Sequence, residues 1–149
     1  IKDKKMDDNF YMKQALKEAE AAYEKGEVPV GAIIVCNDKI IARAHNLTET
    51  LNDTTAHAEM QAITSATNNI GGKYLTNCTL YVTLEPCTMC AGALAWSQIS
   101  RIVYGADDPK RGFSNFSPSL LHPKTSITKG VMSNEALTLL QNFFKSKRK

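Results

Sequence analysis

The chain has 149 residues, 43% of them hydrophobic and 22% charged, with a formal net charge of +3; that is enough apolar material for one continuous core. No apolar run approaches the roughly 18 to 20 residues of a membrane span, and no charged start leads into an apolar h-region, so one cytoplasmic domain, residues 1–149, with no membrane partner is expected. Residues 1–100 hold nine Lys or Arg against twelve Asp or Glu and residues 101–149 nine against three, a basic end that suits either a polyanion such as RNA or a solvated tail.

Asp7 or Asp8 is placed to cap a first helix whose apolar positions Met12, Ala15, Leu16, Ala19, Ala22 and Tyr23 follow the 3.6 period, and Gly26 ends it. Pro29 leads into an apolar strand over 30–36, Asn37-Asp38-Lys39 turns the chain, and residues 40–46 return as a hairpin partner. After a polar loop over 47–54, a second helix is expected over 56–67 with Met60, Ala62, Ile63 and Ala66 inward, and Gly71-Gly72 breaks it. Residues 79–84 read as a buried third strand, 86–96 as a third helix whose Ala91, Gly92, Ala93 and Ala95 let it lie close to the sheet, and 101–105 as a fourth strand. This strand, helix, strand run implies a right-handed parallel crossover. Residues 106–124 form a long irregular stretch beside the site, 125–128 an edge strand, and a last helix capped by Ser133 or Asn134 buries Leu137, Leu140 and Phe144. The order is that of an α/β fold, a mixed five-stranded sheet between helix layers.

The chemistry gathers at Glu85-Pro86-Cys87-Thr88-Met89-Cys90. Pro86 suits the first helical position, and two thiols at i and i+3 on an opening turn sit beside free N–H groups that favour the thiolate, the form a metal binds. Upstream, His57 and Glu59 open another helix. Residues at i and i+2 converge only off a helix's end, so two helix N-termini are expected to meet at one ion. One His and two Cys leave the fourth position of a tetrahedral zinc for water, the catalytic rather than the structural arrangement. A redox Cys-x-x-Cys pair is the rival, and it leaves His57 and Glu59 without a role. At about 3.3 Å per strand residue Cys78 lies roughly 20 Å from Cys87, too far to close the site. Cys36 reads as a buried thiol, His45 points away from Asn46, His122 stands in the long loop, and Glu85 suits a structural hydrogen-bonding role. Asn46 offers a donor and an acceptor on one amide, suited to a purine edge or to a turn ending the hairpin.

His57-Ala58-Glu59 followed by Pro86-Cys87-x-x-Cys90 resembles the signature of the zinc-dependent cytidine and adenosine deaminase superfamily. The likeness is greatest to the bacterial tRNA adenosine deaminases, through residues 27–32, Asn46, 55–59, 80–92, 101–105, and Lys129-Gly130-Val131 before a helix carrying Phe143-Phe144. The resemblance implies a three-layer α/β/α cytidine-deaminase-like fold with one Zn2+ per subunit clasped between the second and third helices by His57, Cys87 and Cys90. It implies Glu59 as the proton carrier, Asn46 on the base, and Val30, Ala58, Leu84 and Pro86 shaping the slot. The reaction implied is hydrolytic deamination of adenosine to inosine at the wobble position of a tRNA anticodon stem-loop, by a homodimer whose site lies near the subunit interface. Lys110, Arg111, Lys145, Lys147 and Arg148 would ring the pocket. Phe113 to Phe116 stands where the family carries small residues; an aromatic there either stacks on a nucleotide or closes the pocket over a free base. A deaminase of a free nucleobase or nucleoside, guanine or cytosine type, shares every catalytic residue. A zinc-stabilised RNA-binding module without turnover is the third reading.

Overall fold

The computed structural model describes residues 7–116 and 120–147; Arg148, expected among the basic contacts, lies outside them. The elements are α1 (Asp8–Glu24), β1 (Gly31–Cys36), β2 (Lys39–His45), α2 (Ala58–Ile70), β3 (Cys78–Leu84), α3 (Thr88–Ser97), β4 (Arg101–Ala106), β5 (Ser126–Lys129) and α4 (Ser133–Lys147), with a 3-10 turn at Phe113–Asn115 between β4 and β5. The sheet runs β2-β1-β3-β4-β5. β1 is antiparallel to β2 and β3, whereas β3, β4 and β5 are mutually parallel. This is the mixed five-stranded sheet of the cytidine-deaminase-like α/β fold. No helix among the described residues is long and apolar enough to cross a membrane.

Strand alternation builds one core on each face of the sheet. Ala32, Ile34, Leu80, Val82 and Ile102 pack with Ala58, Ala62, Ala66, Ala91 and Leu94 of α2 and α3. Ile33, Val35, Tyr81 and Val103 point the other way, onto Tyr11, Met12 and Ala15 of α1. Small residues let these layers close up: a Cβ on Gly31 would stand 2.1 Å from the Ala15 carbonyl oxygen and 2.4 Å from the Ala19 nitrogen. The β1–β2 turn is Asn37-Asp38, both at positive φ, the two-residue geometry whose twist matches a hairpin. Its register shifts between Ile34 and Val35, leaving Ile41 as an extra residue on β2. That bulge puts Ala42, Ala44 and Asn46 on the α2 face and His45 on the α1 face, where its Nδ1 lies 2.9 Å from Glu18.

Asp7, one of the two expected caps, caps α1, its carboxylate accepting the Phe10 N–H. Several other local expectations are corrected. α2 opens two residues later than expected, with His57 as N-cap, and runs on to Gly71 in the left-handed conformation. α3 begins after Cys87, not at Pro86; the Pro86 carbonyl accepts the Phe113 N–H and Cys87 bridges Gly112, which holds both residues extended. Ala91 and Leu94 face the sheet, while Gly92 has open space around it and Trp96 is 84% exposed. α4 starts at Ser133 without a Ser or Asn cap and buries Ala136, Leu140 and Phe143. Leu137 and Phe144, expected inside, are each 44% exposed. Ala136 fits above Gly105, and Phe143 meets the Tyr23 ring edge-on at 5.8 Å, which rotates the helix by one residue from the expected face.

A buried carboxylate ties the site's approach loop to this frame. Glu27 is fully buried and accepts hydrogen bonds from the backbone N–H groups of Glu49 and Thr50, at 3.1 and 2.6 Å, and from the Thr50 hydroxyl at 2.6 Å. Burial pushes its pKa up, but the hydrogen bonds from Thr50, Glu49 and Thr48 outweigh that and leave it below the usual 4.5. A depressed folded pKa contributes stability above the unfolded value, and that contribution is lost as pH falls through the folded one. Glu27→Ala is expected to cost about 3 kcal/mol near pH 7, because two loop amides lose their acceptor. Urea unfolding at successive pH values should show the gap to wild type narrowing below about pH 4.5.

Candidate active site and metal centre

The parallel strands β3 and β4 end at Leu84 and Ala106, and α3 starts just beyond. Because β1 runs antiparallel to β3, the N-terminal end of β1 and the last residues of the hairpin arrive at this same edge. Asn46 donates its N–H to the Val30 carbonyl, and its Oδ1 accepts the Ala58 N–H at 3.2 Å, which anchors the start of α2. Crevices at the carboxyl ends of parallel strands are where α/β folds bind ligands.

His57 and Cys87 are thus the N-caps of facing helices, and neither side chain caps its own helix. Cys90 follows one turn into α3. The ligand atoms of His57, Cys87 and Cys90 lie within 4.8 Å of one another. His57 Nδ1 is 3.6 Å from Cys87 Sγ and 3.5 Å from Cys90 Sγ. A tetrahedral zinc with bonds of about 2.3 Å to sulfur and 2.0 to 2.1 Å to nitrogen holds such atoms about 3.6 Å apart. The three residues therefore fit the ion. Cys36 and Cys78 face each other across β1 and β3, away from the cluster, and His122 Nδ1 accepts the Lys124 N–H in a turn.

The three groups share protons unequally. Cys87 is drawn down to about 4, first by a hydrogen bond from Cys90, with His57 helping and burial opposing. Cys90 is pushed well above the usual thiol range by Cys87 and by burial. His57 is raised by its contact with Cys87. Glu59, buried on the second residue of α2, is pushed up to about 7, chiefly by burial with the Cys87 charge adding. A carboxylate poised there both takes and gives protons near neutral pH.

His57, Glu59 and Cys87 form the floor of a cavity of about 1030 Å³, with Cys90 buried behind them. Val28, Val30, Asn46 and Leu84 make one wall; Leu137, Leu140, Gln141 and Phe144 make the other; Asp107 to Arg111 and Lys145 stand at the rim. Ala58 and Pro86, expected to shape the slot, are buried and do not line it. Ala58 turns into the core with Ala62 and Ala66, and Pro86 lies under the 107–116 loop. Asn46 has committed one acceptor position to Ala58, and its amide NH2 remains for a ligand. Lys147 sits over the Phe143 ring at 5.4 Å, away from the lining. Phe113 is 7% exposed and packs on Tyr104, and Phe116, at 55%, is outside the lining. Neither ring closes the cavity. Val28, Asp107 and Asp108 were not singled out from sequence, and Leu137 and Phe144 line the wall because α4 turns that stripe outward.

The unequal thiols lead to a direct test. In metal-stripped protein at pH 7, iodoacetamide should alkylate Cys87 first, since the thiolate is the nucleophile. Cys78, pushed up to about 12 by burial and by Cys36, should react far more slowly, as peptide mass spectrometry over a time course would show.

The family model described as MafB19-like deaminase matches residues 6–148. A tRNA-specific adenosine deaminase of Bacillus subtilis (strain 168) is 48% identical over 147 residues, 95% of this chain and 91% of that protein. A solved structure from biochemical and structural studies of A-to-I editing by tRNA:A34 deaminases at the wobble position matches with a TM-score of 0.83 at 42% identity, covering 88% of this chain and 99% of its own. A guanine deaminase structure from Bacillus subtilis matches over less, 68% of this chain and 66% of its own, at 38% identity and a TM-score of 0.66. A deaminase frame, a His-Cys-Cys cluster spaced for zinc and near full-length likeness thus coincide, and the chain belongs to the deaminase family of the bacterial tRNA-specific adenosine deaminases.

Proposed function

We propose that this chain hydrolyses adenosine to inosine at the wobble position of a tRNA anticodon, with one Zn2+ per subunit held by His57, Cys87 and Cys90. It works in the cytoplasm as a single domain over residues 1–149, paired as a homodimer. The observation that carries this reading is one cavity with Glu59 and two members of the His-Cys-Cys cluster, His57 and Cys87, on its floor and Lys110, Arg111 and Lys145 at its mouth. A free base needs no such rim, and no aromatic from the 107–116 loop covers the opening. An anticodon base splayed from its loop, with phosphates on either side, suits both floor and rim. In the sequence, Lys147 and Arg148 continue the basic run that Lys145 begins. Trp96 and Met89, exposed on α3, are apolar surface of the kind a second copy covers.

Zinc, when bound, supplies a water acidified towards neutral pH and charge stabilisation at the reacting carbon. The protein's own groups do the rest. The Asn46 amide NH2 holds the purine by a ring acceptor, while Val30 and Leu84 contact its face. Glu59 accepts a proton from the attacking water and delivers it to the ring nitrogen beside the amine-bearing carbon, which makes that carbon electrophilic. The water oxygen adds to that carbon; Glu59 then takes the remaining proton from the added hydroxyl and hands it to the amine, so the carbon–nitrogen bond breaks as the carbonyl forms. Water and adenosine become inosine and ammonia.

Glu59→Gln should lower kcat by about 10² to 10⁴ while folding and zinc content stay at the wild-type level, since the amide keeps the shape and loses the proton transfer. Release of ammonia from an anticodon stem-loop, with metal content by atomic emission, measures both; retained turnover removes Glu59 from its role. Affinity for the stem-loop should fall at least about tenfold over a fourfold rise in salt. Ammonia from free guanine or cytosine but none from the stem-loop would overturn the tRNA reading.

A further inference from the structure

Glu85 ends the approach of β3 to the site, is buried and borders the cavity without joining the ligand cluster. Its carboxylate is occupied by the loop opposite. Oε1 accepts the Asp108 N–H at 3.0 Å and Oε2 accepts the Ser114 N–H at 2.9 Å. Between those two residues, Gly112 approaches so closely that an added Cβ would stand 2.3 Å from the carboxylate carbon. Backbone contacts complete the seam: Glu85 donates its N–H to the Ala106 carbonyl, and Cys87 bridges Gly112. Lys110 and Arg111 hang between the two anchored amides, with their own N–H groups donated to Asp108 Oδ1. Two of the rim's three cations, Lys110 and Arg111, therefore stand on a span fixed at both ends to one side chain.

We infer that Glu85 is the positioning residue that sets the 107–116 loop against the site, so that Lys110 and Arg111 meet the RNA backbone at a fixed distance from the reacting base. It acts through loop amides and moves no proton in the reaction. The inference rests on the tRNA deaminase reading above. A merely structural Glu85 predicts lost stability alone; the positioning role predicts weaker capture of RNA with the chemistry unchanged.

Two variants of the zinc-loaded protein separate these roles. Glu85→Gln keeps the size but turns an NH2 towards one of the two loop N–H groups. Gly112→Ala leaves Glu85 in place and pushes its carboxylate away, so it carries the same readouts should the first variant fold poorly. With the anticodon stem-loop, each should raise KM about tenfold while kcat at saturation stays within about twofold, the pattern of lost substrate binding. The double variant should be no worse than the poorer single one, because both break one seam. Amide exchange at Asp108 and Ser114 should quicken in both. A kcat loss of about 100-fold at saturating RNA would place Glu85 in the chemistry instead, and an unchanged KM would leave it with stability alone; either overturns the inference. Wild-type protein that leaves the stem-loop unreacted sinks the substrate reading. Asp108 and Ser114 amides that exchange no faster in both variants sink the seam, whatever the substrate.

Discussion

The site depends on the direction of β1. Paired antiparallel to β3 while β4 pairs parallel, it delivers Val30, and through the hairpin Asn46, to the edge where the parallel strands hand over to α3 and the 107–116 loop. One hydrogen bond from the Ala58 N–H to Asn46 then aims the start of α2 at the start of α3. Helix N-termini carry unpaired N–H groups and the positive end of the macrodipole. Two of them facing each other favour negative charge between them; Cys87 itself sits far down in pKa because Cys90 and His57 hydrogen-bond its sulfur, and the same contact raises His57. The metal cluster is thus a product of strand direction before it is a product of ligand identity.

Three buried glutamates show how surroundings decide what a carboxylate does. Glu27 and Glu85 each gather backbone N–H groups from a loop, so their oxygens are occupied and they act as fasteners. Glu59 has no loop clasped to it; burial and a neighbouring thiolate lift it to about 7. A group so placed exchanges protons near neutral pH, whereas Glu27, held by the hydrogen bonds from Thr50, Glu49 and Thr48, is kept below the usual carboxylate value.

Much of this was legible in the chain. Element order, hairpin, parallel crossover and edge strand follow from periodicity and turn chemistry, and the His-x-Glu and Cys-x-x-Cys spacings locate the ligands. What sequence did not settle was rotation and phase. Leu137, Leu140, Phe144 and Ala136, Leu140, Phe143 are both helical stripes, and only Gly105 and Tyr23 on distant elements choose between them. Pro86 is a good helix opener by itself, yet Phe113, reaching in from the loop, takes its carbonyl and delays the helix. The roles of Glu27 and Glu85 depend on partners more than twenty residues away, which no local pattern reveals.

The bulge at Ile41 has a consequence for how the chain tolerates change. It absorbs one residue of chain: Ile40 still pairs with Val35 and Ala42 with Ile34, so the faces of Ala42 to Asn46 are kept, whereas the same sequence paired without the bulge would turn all of them, the Asn46 amide included, to the other side of the sheet. Beyond Ala42 the β1–β2 register shows no second bulge to absorb a change of length, whereas the polar segment between Leu47 and Thr54 has no alternation to preserve.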